Sequence, residues 1–253
     1  MTRRRAELLW DDTRLESPHA QQDKADRVRR MFDAVAPSYE RINKIFSGGR
    51  DSYWRRQAVR LAEVRADDTL LDVCTGTGNF ARAFADGRPR PRLICGCDFS
   101  TGMLARAVGR GSTAVTWCQG DGLNLPFRDG AYSLVSCAFG VRNFQDLGAC
   151  LGEFVRILVP GGRAVILEFS RPRHRGVRWA YELYSARVMP WAATLVSGDR
   201  TGAYRYLPQS VLSFPDSAEM EGRLRGAGFD RVESHRLTFG VVTVYVAWKG
   251  VDG

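Results

Sequence analysis

The stretch at residues 70–80, Leu-Leu-Asp-Val-Cys-Thr-Gly-Thr-Gly-Asn-Phe, constrains this 253-residue chain more than any other. A short apolar run ends in an acid, a turn carries two glycines and two threonines, and a helical pattern begins near Asn79. That order reads strand, tight turn, helix. Gly76 and Gly78 remove Cβ atoms where the turn needs unusual backbone angles and where a ligand can touch the main chain. The helix start then presents unpaired N–H groups and a partial positive charge. A chain built on this element is organised to hold a nucleotide-like ligand.

The rest of the sequence supplies a sheet around it. Apolar runs at 69–73, 93–97, 114–118, 132–139 and 164–169 read as strands, and helical patterns at 80–86, 102–110 and 147–158 separate them. Such alternation predicts a parallel sheet with right-handed crossovers and helices on both faces. Pro160-Gly161-Gly162 reads as punctuation between the last of these helices and its strand. A helix is expected over Ser217–Gly226, and two alternating runs, 230–235 and 241–248, close the chain as an antiparallel pair. The expected architecture is therefore α/β and Rossmann-like, with seven mostly parallel strands and an antiparallel last one. Before the first strand, Val28, Met31, Phe32 and Val35 recur at helical spacing until Pro37, and another helix runs through Trp54 to Leu61. Residues 1–25 read as a flexible polar arm, and 26–253 as a single domain with a helical insertion at about 172–213.

Composition limits the partners. The formal net charge of +9 favours an anionic partner or surface, or else reflects a solvated arginine-rich exterior. Six cysteines form no Cys-x-x-Cys pair, and several fall inside apolar runs as small hydrophobes. With no signal peptide in view, a reducing cytoplasm is expected. No metal ligand set is expected. No run reaches the roughly 18 apolar residues of a membrane span, so any membrane contact would be peripheral. The sequence leaves a homo-oligomer open.

In an open α/β sheet the ligand lies beyond the carboxyl ends of the strands. Three acids fall there: Asp72 on the first strand, Asp98 on the second, and Asp121, followed by Gly122, after the third. An acid ending the second strand is placed to accept both hydroxyls of a ribose, and Asp121-Gly122 is placed to read an adenine edge. Singly, each is as well explained as a turn or helix-cap acid. Together, in phase with the strands, they predict a cofactor site. The turn lacks the third glycine of Gly-x-Gly-x-x-Gly, and no Gly-Lys-Ser/Thr follows it. A strand acid with a short Gly76-Thr77-Gly78 turn and no phosphate-binding lysine suits a nucleoside cofactor without phosphates, S-adenosylmethionine (SAM).

Further stretches resemble the ubiquinone/menaquinone biosynthesis C-methyltransferase family from about Val28 to Lys249. Leu71-Asp72-Val73 with Gly76-Thr77-Gly78 matches its SAM motif. More diagnostic are Tyr39-Glu40-Arg41-Ile42-Asn43 with Ser47 and Trp54, Phe139-Gly140-Val141-Arg142-Asn143, Arg156 through Pro160-Gly161-Gly162-Arg163 to Glu168-Phe169-Ser170, and Tyr204-Arg205-Tyr206-Leu207 with Ser210. The chain departs from the family's common residues at Asn79, Asp51, Ala138, Val159 and Thr243-Val244-Tyr245. The position of Asp51 is one where the family often has histidine.

The resemblance implies a SAM-dependent methyltransferase fold and C-methylation of a prenylated quinol. The acceptor would be demethylmenaquinol or the benzoquinol of the ubiquinone route. Arg142, after the fourth strand, is expected to stabilise the ring oxyanion or order a water, and Asn143 to hydrogen-bond a ring oxygen. Direct proton abstraction by Arg142 is excluded, because a guanidinium titrates above about 12. Tyr204 and Arg205 are candidates for the acceptor pocket, and the aromatic Trp179–Leu195 region for the prenyl tail. A polyprenyl substrate lives in the bilayer, so peripheral contact with the inner face of the membrane is expected. Nucleic acid is not expected as a partner, since Phe139–Asn143 is neither an Asn-Pro-Pro-Tyr nor a cysteine motif. Two other readings stay open: a natural-product C- or O-methyltransferase of the same descent, permitted by Asn79, Ala138 and Tyr245, and a non-catalytic scaffold subunit. The retained Asp72, Asp98 and Asp121 speak against the scaffold.

Overall fold

A computed structural model describes residues 9–11, 15, 18, 21–111, 114–172, 174, 176, 179, 183 and 202–251. Seven strands form one sheet: β1 Thr69–Val73, β2 Leu93–Asp98, β3 Thr116–Gln119, β4 Tyr132–Ala138, β5 Leu158–Phe169, β6 Phe229–Leu237 and β7 Val242–Lys249. Their order is β3-β2-β1-β4-β5-β7-β6. β1 to β5 run parallel, and β7 lies antiparallel between β5 and β6. The expected sheet is present, with its switch point between β1 and β4.

The helices are α1 Lys24–Val35, α2 Tyr39–Phe46, α3 Asp51–Leu61, α4 Asn79–Ala85, α5 Thr101–Gly109, α6 Leu147–Ile157, α7 Ala203–Leu212 and α8 Ser217–Gly226. Two apolar layers sandwich the sheet. Leu151, Phe154 and Ile157 of α6 with Met220 and Leu224 of α8 cover one face. Trp54 and Ala58 of α3 with Phe80 and Phe84 of α4 cover the other. β1 is buried at four of its five residues, as expected of a strand packed on both faces.

Three details depart from the sequence reading. Pro160-Gly161-Gly162 does not separate helix from strand: the extended segment starts at Leu158, because Tyr132 pairs with Leu158 and the register then shifts before Leu134 meets Arg163. α2, which the sequence did not mark, forms after Pro37. Within the expected arm, Leu9, Trp10 and Leu15 are buried: they pack with Met31, Val35 and Tyr206, and Trp10 stacks on Tyr206 at 4.2 Å. Most of the expected insertion at 172–213, including Trp191 and Leu195, and the side chain of Tyr204 lie outside the described residues.

Candidate active site

β1 and β4 both stop at the switch point with a residue in the left-handed region: Cys74 at φ 54° and Phe139 at φ 58°. Neither is glycine, so each turn is held by its surroundings. Between them Gly140 is obligatory, because a Cβ there would stand 2.6 Å from the Cβ of Cys74. The two strand ends thus meet closely and open a cleft over the sheet.

Gly76, Asp98, Ser100, Asp121, Gly122 and Asn143 lie on the cleft's walls, and Ala25, Val28, Arg29 and Phe32 of α1 close it from above. Asp98 is half-buried. Its Oδ2 accepts the Gly76 N–H at 2.7 Å and its Oδ1 the Ser100 N–H at 2.9 Å, leaving each oxygen a further lone pair. Burial, with Asp33 close by, pushes its carboxyl up to about 6. Asp121 is exposed at the far side and caps its own turn through the Leu123 N–H. A Cβ at Gly122 would come within 2.5 Å of the Phe144 ring, so this wall is bare backbone. One half-buried acid, a glycine floor and apolar sides form a cradle suited to an adenosyl group.

The other expected cofactor residues do not line this cleft. Asp72 is buried, its Oδ2 accepting the Thr75 hydroxyl at 2.6 Å and the Ala81 N–H at 3.1 Å, its Oδ1 the Ser136 hydroxyl at 2.6 Å. It ties β1 to the start of α4 and to β4, and burial raises its carboxyl to about 6. Gly78, at φ 80°, precedes α4 and lies under Trp117, whose ring also covers Gly96. The Thr77 hydroxyl donates to Glu40 on α2 at 3.0 Å, and Glu40 pairs with Arg110. These three residues shape the turn from behind.

A second cavity adjoins the first and shares Phe32, Tyr39 and Phe139 with it. Trp54, Phe169, Leu207 and Val211 give it apolar walls; Asn43, Ser47, Asp51, Arg55 and Arg142 supply polar groups. Arg142 belongs to this cavity, while Asn143, its neighbour, faces the first. The Arg142 Nη1 donates to Glu168 Oε1 at 2.6 Å and to the Phe139 carbonyl at 2.7 Å, and Nε to the Ser210 hydroxyl at 3.3 Å. Burial pushes the Glu168 carboxyl up against the pull of Arg142. Asn143 donates to the Phe139 carbonyl at 3.3 Å and accepts the Tyr206 hydroxyl at 3.1 Å. Arg205 is exposed.

Sequence reasoning missed two residues of α1. Asp33 Oδ1 accepts the Ser100 hydroxyl at 2.6 Å and the Gly102 N–H at 3.0 Å, fastening α1 to the start of α5 beside Asp98. Lys24 is buried, donating to the carbonyls of Arg142 (3.1 Å) and Phe144. Burial and Arg142 bring its ammonium down to about 8. A lysine buried in a helix that opens Lys-Ala-Asp carries no signal in sequence; its partners lie beyond the fourth strand.

The sheet order and the cleft at its switch point define a SAM-dependent methyltransferase. Solved structures agree on the fold: a SAM-dependent methyltransferase of Thermotoga maritima matches with TM-score 0.63 at 18% identity, covering 87% of this chain and 99% of its own. A phosphoethanolamine N-methyltransferase of Haemonchus contortus, solved with S-adenosyl-L-methionine, matches with TM-score 0.57 at 16% identity over 77% of this chain and 52% of its own.

Residues 20–249 match the model of the ubiE/COQ5 methyltransferase family, and the chain belongs to that family. A demethylmenaquinone methyltransferase of Thermus thermophilus is 43% identical over 85% of this chain and 98% of its own length. A ubiquinone/menaquinone biosynthesis C-methyltransferase of Geobacter sulfurreducens is 40% identical over 90% and 91%. These relatives support the quinone-route reading and lend nothing to the natural-product alternative.

Proposed function

We propose that the chain transfers the methyl group of SAM to a ring carbon of a reduced, prenylated quinone, demethylmenaquinol, with the prenylated benzoquinol of the ubiquinone route as a further acceptor. The observation that carries this reading is the aromatic, arginine-bearing cavity that shares a wall with the cofactor cleft. Trp54, Phe139 and Phe169 pack against one another, with ring centroids 4.7 to 6.2 Å apart, as one apolar wall against which a flat ring would lie, its oxygens facing donors. The names of the 43% and 40% identical relatives support the same acceptor class.

In this reading Asp98 accepts the ribose hydroxyls, Gly76 and Gly122 allow the adenosine to approach backbone, and Asp72, Thr77 and Gly78 keep the turn in place. SAM supplies an electrophilic methyl. The residues of the second cavity would hold the acceptor ring beside the cofactor cleft and orient it for transfer at carbon. Arg142, fixed by Glu168, Phe139 and Ser210, turns a stationary positive charge toward the ring oxygen that becomes electron-rich. Asn143 stands on the cofactor side, its amide held between the Phe139 carbonyl and the Tyr206 hydroxyl.

A prenylated acceptor places the enzyme at the cytoplasmic face of a membrane. No helix among the described residues is long and apolar enough to cross one. Phe239, 83% exposed at the tip of the β6–β7 hairpin, supports contact with the surface instead. Thr238 beside it accepts the Trp54 indole N–H at 2.8 Å, which sets the tip next to a wall of the second cavity. Exposed Arg171 and Arg236 flank it.

Incubation with labelled SAM and each chemically reduced prenylquinone tests the reading. Label should enter a quinol and not the oxidised quinone, whose ring carbon is not nucleophilic. SAM binding with no label in either quinol would refute it.

A further inference from the structure

We propose that Asp51, held by Arg55, takes the ring-hydroxyl proton of the acceptor and delivers it to solvent on the other side of the wall. This rests on the second cavity being the acceptor site.

Methylation at carbon needs the ring electron-rich, and loss of the hydroxyl proton achieves that. The residue receiving the proton must line the acceptor cavity and be a base. Arg142 is neither free nor basic: its guanidinium is bound to Glu168, Phe139 and Ser210 and stays charged. Among the described residues lining the cavity there is one carboxylate, Asp51, and no histidine. Asp51 opens α3. Its Oδ2 accepts Arg55 Nη1 at 2.5 Å and its Oδ1 the Ser47 hydroxyl at 3.5 Å. Around it stand Arg55 on its own helix, Lys44 and Tyr39 on α2, and Arg142 across the cavity.

A further observation points to a ligand there. The Arg55 side chain is 7% exposed, and its Nε is a buried donor with no partner. Arg55 lines the cavity. A buried donor left unpaired costs free energy, and a ligand with ring oxygens satisfies it. Asp51, Asn43 and Arg55 also line an open groove on the outer side, with Lys44, Arg56 and Arg60. Asp51 therefore stands in a partition, with substrate on one side and water on the other.

The step balances. The O–H bond breaks, its electron pair stays on oxygen, and the proton bonds to Asp51. The ring carbon forms its bond to the methyl as the C–S pair returns to sulfur. The C–H proton of the resulting dienone passes to water, its pair restores the aromatic ring, and oxygen regains a proton. One proton leaves per turnover, and Asp51 is again a carboxylate.

The test is kcat between pH 5.5 and 9 for the wild type, D51N, D51A and D51E with a reduced prenylquinone, beside SAM binding by calorimetry. D51N should lose about 100-fold or more in kcat while SAM affinity stays within about twofold. Its remaining rate should climb about tenfold per pH unit as the quinol ionises unaided. D51E should keep more activity than D51N, and formate should restore part of the D51A rate. A D51N kcat within about fivefold of wild type, or a D51N profile parallel to the wild type's with no formate rescue of D51A, overturns the proposal. Absence of wild-type turnover on any prenylquinol overturns the acceptor reading instead, and this inference with it.

Discussion

Asp98 and Asp72 occupy neighbouring strands, yet only Asp98 faces the cleft, and substitution should separate them. Asp98→Asn should weaken SAM binding by about 10- to 100-fold with little change in melting temperature, read by calorimetry, since hydrogen bonds to a charged group are worth about 1.5–3 kcal/mol. Ser136→Ala, which strips a partner from the buried Asp72, should cost about 1–3 kcal/mol of stability and leave SAM affinity within a few-fold. Both carboxyls are lifted from 3.8 to about 6. Their contribution to folding is therefore complete below about 4 and is lost as pH rises through about 6. SAM binding runs the opposite way: a carboxylate must accept the ribose hydroxyls, so affinity should fall as pH drops through about 6. A flat affinity from pH 7.5 to 5 would detach Asp98 from the cofactor. The sequence placed both acids at the sheet's carboxyl edge, because strand phase is legible. It could not tell which one turns inward, because that depends on Thr75, Ser136 and Ala81 converging on Asp72 through the fold.

At the scale of elements, α1 is a cover and its fastening is Asp33. Asp33→Ala removes two hydrogen bonds to α5 and should weaken SAM by about 5- to 50-fold. Amide exchange at Gly102 and Met103 should quicken in the same variant; unchanged exchange would separate α1 from the cofactor site. At the opposite edge of the sheet, Arg163 Nη2 meets Asp68 Oδ2 at 2.6 Å, while its Nε bonds the Ala62 carbonyl at 2.6 Å. Burial raises the Asp68 carboxyl, but Arg163, the Arg65 N–H and Ser133 together outweigh it and hold it below the usual range. Its stabilisation is present above about pH 4 and is lost as pH falls through that lowered value. Arg163→Met should cost about 3–5 kcal/mol in denaturant unfolding, the cost of a buried charge left without its partner. The strands and helices behind these contacts were readable from apolar spacing and from Pro37. The Pro160-Gly161-Gly162 bulge was not, because a break in spacing looks the same whether the chain turns or continues with a shifted register.

Across the whole molecule, the net charge of +9 and the exposed Phe239 bear on where the enzyme works. Binding to vesicles containing anionic lipid should weaken as salt rises, as attraction of basic groups to an anionic surface does. Phe239→Ser should weaken it about tenfold or more, the worth of one buried phenylalanine; equal binding by wild type and variant would remove the hairpin tip from the contact. The sequence showed the basic surplus and a hairpin around Phe239-Gly240; it did not show that Phe239 stands exposed there, which follows from Thr238 and Phe239 both taking the left-handed conformation at φ 48° and 57°. The sheet, by contrast, was legible almost strand for strand, because each element's own pattern agrees with its place in the fold. The acceptor cavity was legible only as scattered residues: Trp54, Phe139, Phe169 and Leu207 come from four separate stretches, and nothing local joins them.

Transfer of a methyl group from SAM to a ring carbon of a reduced prenylated quinone is measured by incubating the enzyme with trideuteromethyl SAM and reduced demethylmenaquinone and fragmenting the product in a mass spectrometer. One trideuteromethyl group is expected on the ring, with both hydroxyls still free. Label on oxygen, or an unlabelled quinol recovered from an enzyme that binds SAM, would contradict it.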